Sequence, residues 1–132
     1  YKVTKAGAKN GTVEYVKKQK KTSSVTIPAT VKIDGITYQV TSIGEKAFYN
    51  NKKLTKVTIE KNVSKIGKSA FNGCSKLNKI WIKSAKLKAA FVGTKSFYGI
   101  GKNSTIQVPK SKKKLYKQIL KKTGVTSSVS IK

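Results

Sequence analysis

Val40-Thr-Ser-Ile43-Gly44-Glu-Lys-Ala47-Phe48-Tyr-Asn-Asn-Lys-Lys-Leu54-Thr-Lys-Val57-Thr-Ile59 is written a second time in the chain, 23 residues further on. Val63, Ile66, Gly67, Ala70, Phe71, Leu77, Ile80 and Ile82 stand where Val40, Ile43, Gly44, Ala47, Phe48, Leu54, Val57 and Ile59 stood. The apolar positions are kept while the polar ones drift. That is the mark of a stacked repeat in which each unit buries its apolar face against the next.

Inside the unit, Ile43, Ala47 and Phe48 follow helical spacing and end at the turn-prone Asn50-Asn51, which predicts a short helix over Ser42 to Asn50. Leu54-x-x-Val57-x-Ile59 alternates as a strand does. Val57 and Ile59 are expected in the core, with Lys56 and Thr58 facing out. Strand follows helix in each unit, so successive strands are expected to pair in parallel into one sheet.

Working outward, a third unit maps Val92-Gly93 and Ser96-Phe97-Tyr-Gly99-Ile100 onto Ile66-Gly67 and Ala70-Phe71-Asn-Gly73-Cys74 at an offset of 26, so three residues are inserted between Ser84 and Phe91. Its strand is Ile106-Gln-Val108, with Asn103 in the place of the earlier Leu. On the other side, Val25-Thr-Ile27-Pro28 matches the strand of the unit. Between it and the first full repeat, Val31-Lys-Ile33-Asp34-Gly35-Ile36-Thr-Tyr38 alternates around Asp-Gly, which predicts a β-hairpin with a type I′ turn. Tyr1 to Lys21 is the least regular part, with Gly7, Gly11 and five lysines between Lys9 and Lys21 around one run, Thr12 to Val16, read as an N-terminal edge strand. At the far end, Ser111 is placed to cap a helix reaching about Thr123, with Leu115, Tyr116, Ile119 and Leu120 on one face and Gly124 after it. A short strand is expected between Val125 and Ile131.

The chain has 132 residues and 37% apolar content, enough for one core and one domain. The expected division is 1–39 for N-terminal strands and hairpin, 40–109 for repeats, and 110–132 for capping helix and strand. No apolar run approaches the roughly 18 residues of a membrane span. With no initiator Met and no signal-like stretch at Tyr1, the chain reads as a soluble piece of a processed or trimmed protein.

Thirty basic residues stand against four acidic ones, for a net charge of +26, and every basic residue is lysine. Lysine is a hydrated point charge that lacks the planar fork with which arginine reads guanine, so sequence-specific nucleic-acid recognition is not expected. Attraction to polyanions is unavoidable at this charge. With no His, one Cys and four carboxylates, the chain lacks the parts of a Cys-His pair, a Ser-His-acid triad or a metal cluster. Glu45 and Glu60 give way to Lys68 and Lys83 in the next unit, which leaves no paired-carboxylate site. No enzyme, metal or cofactor is expected.

Ile27-Pro28-Ala-Thr-Val31, Val40 to Leu54 and above all Ile66-Gly67-Lys-Ser-Ala70-Phe71-Asn-Gly73-Cys74-Ser-Lys-Leu77 resemble the BspA-type leucine-rich repeats of bacterial surface proteins. The resemblance covers about Val25 to Gly124. It implies an α/β repeat: a short leucine-rich repeat solenoid, a right-handed β/α superhelix with parallel strands, an N-terminal β-hairpin and a C-terminal capping helix. It also implies an extracellular or cell-surface location and a non-catalytic role in adhesion to host or microbial surface proteins, to which the lysine charge adds acidic glycans as expected partners. Cys74 falls where such repeats place a buried Asn or Cys, and is read as structural.

Outward strand positions line up from unit to unit as Ser24 and Thr26, Lys56 and Thr58, Lys79 and Trp81, then Thr105 and Gln107. An indole beside hydroxyl, amide and ammonium groups suits stacking on a sugar or anchoring a protein loop. Trp81, Lys79, Lys56, Thr58 and Gln107 are therefore the candidate ligand-binding residues. Lys113, Lys117 and Lys121 form a second, polyanion-binding candidate on the helix, which lacks the apolar outer face of a membrane-binding helix. A monomer is expected. Two other readings stay open, a structural spacer within a larger surface protein and a binder of polyanions or nucleic acid by charge alone.

Overall fold

A computed structural model of the chain describes residues 1–6, 11–16 and 22–132. Its elements are β1 (Lys2–Lys5), β2 (Thr12–Tyr15), β3 (Ser24–Ile27), β4 (Thr30–Ile33), β5 (Ile36–Ile43), β6 (Lys56–Ile59), β7 (Lys65–Ile66), β8 (Lys79–Ile82), β9 (Thr105–Gln107), α1 (Lys113–Lys122) and β10 (Ser130–Ile131). Short 3-10 turns lie at Ala89–Phe91 and Lys110–Lys112.

The strands of the repeat form the expected parallel sheet, in the order β10-β9-β8-β6-β3. Its register follows the sequence period: Val57 pairs with Val25 and Ile80, and Ile80 with Ile106. Ile27, Val57, Ile59 and Ile106 are fully buried, while Lys56 and Lys79 are exposed. The alternation read from Leu54 to Ile59 is therefore what the chain adopts. The Asp34-Gly35 hairpin is present too, with β4 antiparallel to β5 and φ of 50° and 77° at the two turn residues.

Instead of one sheet there are two. The second runs β1-β2-β5-β4, with β7 also on β5, and mixes antiparallel and parallel pairs. The run beginning at Thr12 is consequently interior: β2 lies between β1 and β5. Its Tyr15 carbonyl accepts from Gly44 N as the Ile43 carbonyl accepts from Gly67 N. This segment occupies a place in the stack, with Val13 paired to Val40 and both fully buried, although the rest of its sequence departs from the repeat. Strand β1 gave no periodic signal because all four of its residues are exposed. Gly7 and the lysines at 9, 17, 18, 20 and 21 lie outside the described residues.

The short helix expected over Ser42 to Asn50 is not formed. Ser42 and Ile43 end strand β5, and the residues after them make successive turns. Amides of Ala47, Tyr49 and Asn51 bond three residues back, to Gly44, Lys46 and Phe48. Those of Lys46, Phe48 and Asn50 instead reach across to the carbonyls of Lys68, Ala70 and Asn72 in the next unit. The next unit repeats the scheme, from Ser69, Phe71 and Gly73 to Thr94, Ser96 and Tyr98. Half of the amides thus tie one layer to the next rather than closing helical turns. The scheme holds Lys46, Ser69 and Lys95 at φ of 55–56°, a left-handed conformation that non-glycine residues adopt only when their surroundings impose it. In place of a β/α alternation, strands and stacked turns form the array, and α1 is the α-helix among the described residues.

The stack aligns one aromatic side chain per layer, from the end of β2 in the first and from the turns in the next three. Tyr15, Phe48, Phe71 and Phe97 stack with centroids 5.4, 5.1 and 5.3 Å apart, and the Tyr1 ring meets Tyr15 edge-on at 5.3 Å. Beside this column Cys74 is buried, and its thiol donates to the Phe48 carbonyl. Burial pushes that thiol from 9.0 up to about 11. A folded pKa above the unfolded one means that the thiol's contribution to stability is complete below pH about 9 and is lost between about 9 and about 11. The stability advantage of the wild type over Cys74→Ala, read from urea midpoints, should accordingly shrink across that interval. A gap that stays constant to pH 11 would contradict it.

At the C-terminal end, Ser111 lies in a 3-10 turn and makes no cap. The helix begins at Lys113 with no side-chain cap, and Leu115 is exposed while Tyr116, Ile119 and Leu120 are buried. Gly124 has the positive φ expected after a helix, 102°. The inserted segment gives the helix its anchor. Tyr116 Oη donates to the Ser84 carbonyl at 2.8 Å and accepts from Leu87 N at 3.1 Å. The final strand is shorter than expected, only Ser130–Ile131, and pairs in parallel with β9.

Candidate functional site

Parallel pairing carries the outward residues of the repeat into two rows across the sheet. One row runs Ser24, Lys56, Lys79, Thr105 and Ser130; the other runs Thr26, Thr58, Trp81 and Gln107. Neighbouring strands lie about 4.8 Å apart, so adjacent members of a row are within side-chain contact. Trp81 sits near the middle with 43% of its surface exposed, whereas the isoleucines on either side of it in β8 are buried. Its exposure follows from strand periodicity alone.

Lys56, Lys79, Trp81 and Gln107 line a shallow depression of about 380 Å3, together with Val57, Ile80, Thr105 and Lys132. Four of the five candidate ligand-binding residues are therefore brought together. Thr58 pairs with Trp81 on β6 but does not line the depression.

Two features here were absent from the sequence reading. Lys83 holds its ammonium 4.3 Å above the Trp81 ring and 3.1 Å from Glu60 Oε1. The carboxylate fixes the lysine and the lysine covers the indole, a cation–π contact. The signal was in the repeat, since Glu60 and Lys83 occupy the same position of successive units. Lys132 is different. It reaches the depression because β10 returns beside β9 after the whole of α1, and its carbonyl accepts from Val108 N.

The helix lysines are less well gathered. Lys117 and Lys121 line a second depression with Val125, Thr126, Ser127, Val129 and Ile131, and Lys113 is exposed outside it. No helix among the described residues is long and apolar enough to cross a membrane.

A family model described as BspA type leucine-rich repeat region matches residues 14–132 in six copies. The match begins in β2, in agreement with the place of Tyr15 in the stack. A leucine-rich repeat protein from Bacteroides capillosus is similar in structure, with TM-score 0.59 and 21% identity over 98% of this chain and 92% of that one. A leucine-rich repeat protein of T. pallidum is similar with TM-score 0.55 and 23% identity over 80% of this chain, which spans about half, 50%, of that protein's length. At these identities the likeness is one of fold. No curated protein matches the chain in sequence.

Proposed function

The chain belongs to the BspA-type leucine-rich repeat family, and from that premise we propose that it is a non-catalytic binding module for adhesion, part of a bacterial cell-surface or secreted protein. The observation that supports the reading most is the row Thr58, Trp81 and Gln107 beside Lys56 and Lys79 on an open sheet face. A large, half-exposed indole held by its neighbours offers an amphipathic contact at small entropic cost, the kind of residue on which binding energy concentrates. The surface location rests on the family resemblance. The lysines that surround the row attract acidic partners and speed encounter with them.

The purified chain and its Trp81→Ala variant should be compared for binding to matrix proteins, mucin glycans, teichoic acid, heparin and duplex DNA at 0.15 and 1 M salt. Raising the salt shortens the Debye length from about 8 to about 3 Å and removes exposed charge attraction. A ligand that survives the higher salt and is held about 30-fold more weakly by the variant would support the module, since that ratio corresponds to about 2 kcal/mol at one anchor residue. Binding that vanishes with salt and ignores the substitution would reduce the activity to lysine electrostatics. No binding to any of the panel would favour a structural spacer.

A further inference from the structure

Within the binding role proposed above, we infer that the depression beside Trp81 takes an anionic saccharide, a sugar unit bearing carboxylate or sulfate, rather than a protein surface. The first ground is charge. Lys56 and Lys79 are directly paired on adjacent strands and the same face, and both line the depression. Like charges placed opposite each other across a sheet repel. Among the described residues the ion pair is Lys83 with Glu60, so neither Lys56 nor Lys79 is compensated by a carboxylate. An anion seated between them removes that repulsion and replaces scattered water contacts with charge-assisted hydrogen bonds.

The second ground is the surrounding chemistry. A protein interface of ordinary size covers about 800 Å2 on each partner and has an apolar centre. On the outward rows of this sheet Trp81 is the large apolar side chain, and its row neighbours Thr58 and Gln107 are polar, as are Thr26, Thr105 and Ser24. One aromatic ring flanked by a hydroxyl, an amide and ammonium groups matches a pyranose, which has an apolar face of C–H groups and a polar rim. A depression of about 380 Å3 lies within the size range of small-ligand sites.

The third ground is the Glu60–Lys83 pair. Lys83 occupies one face of the indole and is not part of the depression. The ring is thus held from one side and presents the remainder toward Lys79 and Gln107. Glu60 tethers Lys83 away from the ligand, so that Lys56 and Lys79 are the cations left to meet the acid group.

Calorimetric titration of the full chain with a heparin-derived hexasaccharide, an oligogalacturonate, their desulfated and carboxyl-reduced counterparts, and oligoglutamate tests the inference. Variants are Trp81→Ala, the pair Lys56→Gln with Lys79→Gln, and, as a remote control, the triple Lys113→Gln, Lys117→Gln, Lys121→Gln. All these side chains are exposed, so circular dichroism should show each variant folded. The expected result is binding of at least one acidic oligosaccharide, weakened about tenfold or more by each strip variant and less than twofold by the helix variant. Retention of the carboxyl-only or the sulfated ligand identifies which acid is read. Equal binding of the carboxyl-reduced oligogalacturonate, which is neutral, or a protein ligand that depends on Trp81 while no acidic sugar binds, would overturn the inference and leave the binding module standing. Oligoglutamate bound as well as the sugars, with equal losses in strip and helix variants, would overturn both.

Discussion

Replacing Phe71 by alanine will destabilise the fold by about 3–5 kcal/mol, the range for removal of a fully buried phenylalanine. Phe71 has no exposed surface and lies between Phe48 and Phe97, nearly parallel to both, at interplanar angles of 4° and 12°. Deleting its ring removes two aromatic contacts at once and leaves a void that the layers above and below cannot close. They are fixed by amides running from Phe48 to Ala70 and from Phe71 to Ser96. Set against a total stability of about 5–15 kcal/mol for a domain, such a loss brings the chain close to unfolding at room temperature. Leucine at the same position should recover much of it by filling the space. Urea unfolding followed by far-ultraviolet circular dichroism reads both values. A loss under about 1 kcal/mol for alanine would mean that the ring column does not carry the core.

Nearly as large an effect is expected from adding a single methyl group at Gly67. A Cβ there would press against the Glu45 amide nitrogen and stand 2.7 Å from the Gly44 carbonyl carbon, both backbone atoms of the preceding unit. No side chain can move aside to admit it. The layers must separate, which stretches the 2.8 Å bond from Gly67 N to the Ile43 carbonyl and the turn ladder beside it. Gly67→Ala should therefore cost about 3 kcal/mol or more, at the upper end for overpacking. Gly35→Ala makes the comparison: nothing lies within 4 Å, so only the φ of 77° opposes the new side chain, at about 1 kcal/mol. Similar midpoints for the two variants would show that repeat spacing is soft rather than set by backbone contact.

Both residues were visible in the sequence as repeated positions, Phe48 to Phe71 to Phe97 and Gly44 to Gly67 to Gly93. What repetition could not convey was why they repeat. Ile43, Ala47 and Phe48 have the spacing of a helix face, and nothing local forbids one. A segment that short has little helical stability by itself, and half of its amides are claimed by carbonyls more than twenty residues away. The conformations of Lys46 and Ser69 are imposed by the neighbouring unit, so their residue types carry no warning.

The candidate strip was legible for a related reason. A strand turns its side chains to alternate faces whatever surrounds it, so Trp81 had to stand opposite Ile80 and Ile82 once the register was known. The period of 23 fixed that register. Lys132 and the uncovered rim of the depression depended on where the chain returned after α1. That return is set by the Tyr116 hydroxyl on Ser84 and Leu87, a contact between segments with no shared repeat position.

The sequence by itself determined the repeat, the parallel sheet, its inward and outward residues and the Asp34-Gly35 hairpin, because each of these follows from side-chain periodicity or from a local backbone preference. Only the tertiary structure decided that the connecting segments are stacked turns, that β2 joins the stack, and that Lys83 with Glu60 holds one face of Trp81. In each case the deciding bond joins one layer to another, and its energy exists only once the layers have met.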